Sequence, residues 1–252
     1  MPTEIRVIGL EGMPEVHEGD DLAAQIIDAA QRQGTSIDSG DVIVVTQKIV
    51  SKAEGRVVKL EDIEPSALAV AISEGHRRDP RHTELVLRES KRIVRMDRGV
   101  IISETRHGFN CANAGVDASN IPGATTLALL PVDPDASAQR IRLAIRQSLA
   151  TDVAVIISDT FGRPWRAAAV NVAIGVAGFN PLLSYVGQED AHGKMLHTTV
   201  IAVADELAAT AELVTGKVLG VPVTIIKGYQ YEPMEDASNQ ALIRPPDKDL
   251  FR

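Results

Sequence analysis

Along this chain, short runs of β-branched and aliphatic residues alternate with stretches whose apolar positions recur every three or four residues. Residues 4–10 read as a strand. Residues 21–33 carry apolar side chains at 22, 26, 27 and 30 and are followed by Gly34, which is the spacing and the stop of an amphipathic helix. Residues 41–46, apolar throughout 42–45 between Asp41 and Thr46, predict a strand buried on both faces. A helix is expected from Thr46 onward, others over 66–72 and after Pro80, and a strand over 99–104. Residues 84–98 mix acids and bases at helical spacing and read as a solvated helix face. The second half continues the alternation. A strand over 125–130 precedes a helix that Asp133 and Asp135 open, where acids complement the helix dipole, and that runs to about Ala150. Then come a strand over 153–158, a small-residue helix near 167–177, a strand over 198–203, a helix over 205–214 and a strand over 221–226. The tail from Arg244, with Pro245 and Pro246, reads as irregular. No repeat or low-complexity linker interrupts the chain, so its mixed α/β elements form one continuous unit.

Composition narrows this picture. The 252 residues suffice for a sizeable core, and with aromatics at 3% that core must be built from Ala, Val, Ile and Leu. No apolar run approaches the roughly 20 residues that span a bilayer. Met1 to Arg6 lacks the basic start and apolar stretch of a signal peptide, so a cytoplasmic chain without membrane contact is expected. One cysteine, Cys111, excludes an intrachain disulfide and a Cys-rich metal site. The net charge of −8, with no basic stripe, argues against a nucleic-acid partner.

The chemistry gathers where strands end. The run 153–158 stops at Asp159-Thr160, and Phe161-Gly-Arg-Pro-Trp-Arg166 follows. A carboxylate and a hydroxyl at a strand end suit a hard metal ion, and Arg163 and Arg166 suit phosphate or carboxylate groups. Taken alone, Asp159 also reads as a turn cap and Asp117, in Gly115-Val-Asp-Ala-Ser-Asn120, as a turn residue. Two such aspartates without soft ligands are compatible with a nucleotide–metal enzyme. Lys48 and Lys52 fall one helical turn apart, where they supply positive charge or simply face solvent. The helix start beneath them would attract an anion. Cys111 reads as a small buried filler before a nucleophile. The six histidines show no ligand spacing, and neither a Walker A loop nor a dinucleotide fingerprint is present.

Six motifs, in order, resemble one family. They are Met13-Pro-Glu-Val16, Val44-Val-Thr-Gln-Lys-Ile-Val-Ser-Lys-Ala-Glu-Gly-Arg56, Ala114-Gly-Val-Asp-Ala-Ser-Asn120, Leu129-Leu-Pro-Val-Asp-Pro-Asp135, Ile157-Ser-Asp-Thr-Phe-Gly-Arg-Pro-Trp-Arg166 and Gly187-Gln-Glu-Asp-Ala-His-Gly193. Together they resemble the coenzyme F420-0:L-glutamate ligases, in the single-domain CofE-like form without the C-terminal domain of the FbiB fusions. The resemblance implies an α+β fold of mixed sheets with flanking helices, as an intertwined homodimer with its active site near the subunit interface. It implies one ligase domain over residues 1–243, with room for two lobes, and a tail over 244–252.

The implied activity is GTP-dependent amide formation between the precursor F420-0, or its dehydro form, and L-glutamate, through an acyl phosphate. Further γ-linked glutamates follow, and Mg2+ or Mn2+ (two divalent ions) and K+ assist. By matched motif, Met13, Pro14, Glu15 and Val16 line the GTP site with Gln47, Lys52 and Asn120. Asp117 and Asp159 bind metal and Thr160 contributes to a second ion. Arg163 joins the two aspartates as a catalytic candidate. Thr215, Gly216 and Lys217 form a further nucleotide region, where the Lys217 ammonium suits phosphate rather than metal. Glu104 and His107 are candidates for the base that accepts the amine's proton. An amide ligase acting on another carboxylate, and a GTP-binding module without turnover, are the alternative readings; glutamate-dependent phosphate release separates the latter.

Overall fold

A computed structural model of the protein describes residues 4–76, 78–121, 123 and 125–250; Met1–Thr3 of the N-terminal reading and Phe251–Arg252 of the tail lie outside them. In chain order the elements are β1 (Arg6–Gly9), α1 (Leu22–Gln33), β2 (Val42–Thr46), α2 (Gln47–Ala53), β3 (Val57–Lys59), α3 (Ala67–Glu74), α4 (Pro80–Glu89), β4 (Ser90–Asp97), β5 (Val100–Thr105) and β6 (Asn110–Ala112). There follow β7 (Thr126–Ala128), α5 (Pro134–Leu149), β8 (Ala154–Arg163), β9 (Arg166–Phe179), β10 (Leu183–Ser184), β11 (Val200–Ile201), α6 (Val203–Thr215), β12 (Val223–Lys227) and β13 (Pro233–Met234). The fold is mixed α+β, with several sheets.

Six strands form the main sheet in the order β1-β12-β2-β8-β9-β13. Only β2 and β8 run parallel; the other neighbours are antiparallel. The continuous apolar runs of β2 and β8 are explained by burial on both faces. Ile43, Val45, Val155 and Ile157 pack with Ile26 of α1 and Ile141 and Ile145 of α5. Val42, Val44, Ala154 and Ile156 point the other way, onto Ala204, Leu207, Ala208 and Ala211 of α6. Each fully buried Val or Ile contributes about 1.5–3 kcal/mol, so these two layers hold the sheet rigid. A third cluster, with Leu85, Val86, Ile101, Ala114, Val116 and Leu127, ties α4 and β5 to β7 and to the loop that carries Asp117.

Three readings of the sequence are corrected. Residues 167–177 are strand, not helix: they belong to β9, paired along β8. The small residues favour a helix locally, but a buried pairing partner overrides that preference. The signal was present in Val170, Val172, Ile174 and Val176, which recur every second residue. Over 84–98, α4 ends at Glu89 and 90–97 pair with β5 as β4, so only the first part of that charged stretch is helical. Of 198–203 only Val200–Ile201 is strand, and Val203 already opens α6.

Glu84 shows how α3 is anchored on α4. Its carboxylate accepts hydrogen bonds from the Ser66 N–H (3.0 Å) and hydroxyl (2.6 Å) and from Arg88 Nε (2.8 Å). The Ser66 hydroxyl and N–H, then Arg88, hold the carboxyl at about 2, against an ordinary 4.5. A carboxylate with a lowered folded-state pKa stabilises above its unfolded value and loses that contribution as pH falls through the folded value. Glu84→Gln is therefore expected to cost about 1–2 kcal/mol at neutral pH. Wild type and variant should converge between pH 4.5 and about 2, as denaturant melts across that range will record. Parallel pH profiles would remove Glu84 from this role.

Candidate active site

The parallel pair ends on one edge of the sheet, with Thr46 opposite Ser158. Beyond that level β2 turns into α2, whereas β8 continues as Asp159, Thr160 and a hairpin with β9. A bulge sits just before Asp159. Ile157 faces Gly175 and Ser158 faces Ala173, so Ile174 is one residue extra in β9. Such an irregularity bends a strand and re-aims the side chains after it. The bulge is pinned from outside. Asn239 Nδ2 donates to the Ile174 carbonyl, and Asp135 Oδ1 accepts from the Val176 N–H at 2.8 Å.

The loop after β6 brings the second aspartate to the same edge. Asn113, Ala114 and Gly115 take positive φ of 54°, 53° and 72°. Gly115 is obligatory twice over, because a Cβ there would meet Leu130 Cγ at 2.7 Å. The turn delivers Asp117, whose backbone bridges Ala128.

Strand ends, loop and α2 enclose a cleft of about 820 Å3. Of the residues singled out from sequence, Met13, Pro14, Glu15, Val16, Gln47, Lys52, Asp117, Asn120, Asp159, Thr160, Thr215, Gly216 and Lys217 all line it. Arg163 does not; it lines a neighbouring cavity of about 580 Å3. Gln47 lines the cleft, but its amide is committed inward, donating to Ser51 Oγ at 2.6 Å and to the Leu129 carbonyl at 3.1 Å.

Each cation in the cleft faces a carboxylate or a hydroxyl. Lys48 Nζ contacts Asp117 Oδ2, and Lys52 Nζ lies 2.6 Å from Glu15 Oε1. Lys217 Nζ contacts Thr160 Oγ1 and lies 3.7 Å from Glu212 Oε1. The Thr160 hydroxyl donates to Asn171 Oδ1 at 2.6 Å, and Asn171 Nδ2 donates to Glu212 Oε2 at 2.8 Å. Asn120 Nδ2 donates to the Lys217 carbonyl at 3.3 Å, joining the two nucleotide-region loops.

The two aspartates sit in different fields. Burial pushes the Asp159 carboxyl up to about 6, and the Asp117 charge adds to the rise against the Thr160 N–H, Lys48 and Lys217. For Asp117 burial also acts upward, but the Lys48 ammonium and the Ser119 donors outweigh it and hold the carboxyl below its ordinary value.

Among the described residues, no three His, Cys, Asp or Glu side chains come together as a metal cage. Two carboxylates in an open polar cleft are still the donor set that a hard divalent cation uses when water and phosphate oxygens complete its shell. The residues present therefore fit such an ion.

Sequence reading missed Ser119, Asn171 and Glu212. Asn171 had a signal, being a polar residue inside the Val170–Val172 alternation opposite Thr160. Other candidates fall away. Burial pushes the Cys111 thiol up to about 12, so no thiolate forms near neutral pH. Glu104 is buried between Lys91 (3.2 Å) and Arg92 (3.0 Å), and His107 Nε2 meets the Pro131 carbonyl at 2.9 Å; neither lines the cleft.

Residues 12–228 match the family described as F420-0:Gamma-glutamyl ligase, a span that holds every cleft residue named above. The chain belongs to this family. The chain is 48% identical to the coenzyme F420:L-glutamate ligase of Methanothermobacter thermautotrophicus, over 98% of this chain and 99% of the relative. The ligase of the same name from Methanopyrus kandleri is 43% identical over 94% of each chain. That from Methanocaldococcus jannaschii is 40% identical over 99% and 97%. Family membership makes the protein a ligase, and the described residues include no helix long and apolar enough to cross a membrane.

Proposed function

We propose that the cleft joins the carboxyl group of F420-0, or of its dehydro precursor, to the amine of L-glutamate at the expense of GTP, and then adds γ-linked glutamates. The observation that carries this reading is the meeting of Asp117 and Asp159 in one cleft with Lys48, Lys52 and Lys217.

A carboxylate resists attack by an amine because its leaving group would be oxide. Transfer of the GTP γ-phosphoryl group to a carboxylate oxygen breaks the bond to GDP and gives an acyl phosphate. The neutral amine then attacks the carbonyl carbon, inorganic phosphate leaves, and one proton is released. Such transfer needs neutralised phosphate charge more than a covalent catalyst. In this reading Asp117 and Asp159, with Thr160, would hold one or two divalent ions, Mg2+ or Mn2+. Bound there, the ions would offset charge on the phosphate oxygens. Lys48, Lys52 and Lys217 would exchange their carboxylate partners for phosphate oxygens. Met13–Val16 and Asn120 would flank the nucleotide.

The same reading includes a ligase unit over residues 1–243, a cytoplasmic setting and a homodimer. Support for the dimer comes from Val218 and Leu219, apolar side chains 91% and 64% exposed beside Lys217. The protein incubated with F420-0, L-glutamate, GTP, Mn2+ and K+ is expected to release phosphate only when glutamate is present. Mass analysis should show products heavier by successive glutamyl units. Binding of GTP with no glutamate-dependent phosphate release would refute the ligase reading for this cleft.

A further inference from the structure

Beyond the nucleotide cleft lies the cavity of about 580 Å3, within the size range of sites for cofactor-sized ligands. The two cavities are neighbours: Cys111, Ala112 and Gly162 line both. The walls of the second are mostly apolar, and Trp165 lines it from the tip of the β8–β9 hairpin. Three arginines, 92, 163 and 244, line it against one carboxylate, Asp249. Arg92 is neutralised by Glu104 at 3.0 Å, whereas Arg163 has no carboxylate partner among the described residues. Among the described residues, Arg163 Nη2 reaches only the Ala167 carbonyl, at 3.3 Å, and its buried Nε has no hydrogen-bond partner.

Gly162 is the telling residue. Its backbone is ordinary, and a Cβ placed there would meet nothing within 4 Å. Neither conformation nor packing requires glycine at this point. A side chain there would instead add bulk to a residue that lines both cavities. A second register shift of the hairpin falls between Gly162 and Arg163, so the strand changes direction there. Ala112, also small and exposed, lines both cavities as well.

Resting on the ligase reading, we infer that the second cavity holds the body of the carboxylic acid substrate, with its carboxyl passing over Ala112 and Gly162 into the nucleotide cleft. The occupant is a planar, fused-ring, acidic molecule. Its ring lies against the apolar wall and Trp165, and Arg163 and Arg244 meet its negative charge. The space exceeds what glutamate needs, and its walls suit a ring better than an amino acid.

Gly162→Leu tests the passage without disturbing the fold, and Arg163→Ala and Trp165→Ala test the walls. Binding of F420-0 is followed through deazaflavin fluorescence, GTP binding by calorimetry with Mn2+, and oligomeric state by light scattering. Each variant is expected to weaken F420-0 binding about tenfold or more and to raise its KM, with GTP affinity held within about twofold. Trp165→Phe should keep F420-0 affinity within about threefold, because a ring remains to stack. Unchanged F420-0 affinity in Gly162→Leu and Arg163→Ala would overturn the inference. So would a parallel loss of GTP binding, which would put the nucleotide base in this cavity, or a shift in oligomeric state without a change in affinity. Failure of the ligase reading shows separately, as wild-type protein that binds these ligands but releases no glutamate-dependent phosphate.

Discussion

Asp159→Asn is expected to lower glutamate-dependent GDP release by at least about a thousandfold, the scale seen when charge stabilisation is removed from a transition state. The variant should fold as well as wild type. Asn has the shape of Asp and can still face the Thr160 N–H, which draws the carboxyl's pKa down against burial. The substitution also removes a charge that burial disfavours, since the carboxyl is pushed up to about 6. Neutralising a group of this kind is often neutral or stabilising. Activity and stability should therefore move apart, and that separates a metal-holding carboxylate from a structural cap. A turn cap would show the reverse, with lost stability and retained turnover. Asp117→Asn gives the comparison: it also removes the ion partner of Lys48, so stability should fall together with turnover. Turnover within about tenfold of wild type in a folded Asp159→Asn would take this residue out of the phosphoryl-transfer machinery.

Much of the site was legible because its parts sit where local patterns change. The apolar runs 41–46 and 153–158 announce buried strands, and each stops at the residues that enter the cleft. Gly115 and Asp117 lie in a turn-forming stretch, so a carboxylate on a loop was readable. The parallel pairing of β2 with β8 was not, because nothing local states which strands become neighbours. Without that pairing the approach of Asp117 to Asp159 cannot be derived, and Asn171 and Glu212 stay hidden. The misreading of residues 167–177 has the same root. Alanines favour a helix in isolation, and only the partner strand makes the two-residue period decisive. Arg163 shows the limit of motif distance. It lies four residues after Asp159, yet the hairpin carries it into the adjacent cavity.

Gly175→Ala is expected to destabilise the fold by about 3 kcal/mol or more, through overpacking against a backbone that cannot yield. A Cβ at this position would lie 2.3 Å from the Pro134 carbonyl oxygen and 2.4 Å from its carbon. Pro134 is the first residue of α5, fixed by the Asp133 cap, which accepts from the Ala136 N–H at 3.0 Å. Relief therefore requires either lifting the whole N-terminal end of α5 or straightening the β9 bulge. Lifting α5 would pull Asp135 from the Val176 N–H and from the Asn239 N–H, 3.1 Å away, leaving both donors unsatisfied. Straightening the bulge would shift Asp159 and Thr160 relative to Asp117. Either way stability and catalysis should fall together, unlike the outcome for Asp159→Asn. Urea titration should show a lower midpoint with an unchanged slope. The protein that remains folded should turn over more slowly than wild type under conditions well below that midpoint. A loss smaller than about 0.5 kcal/mol would mean that α5 and the bulge are not in the tight contact on which the aim of Asp159 depends.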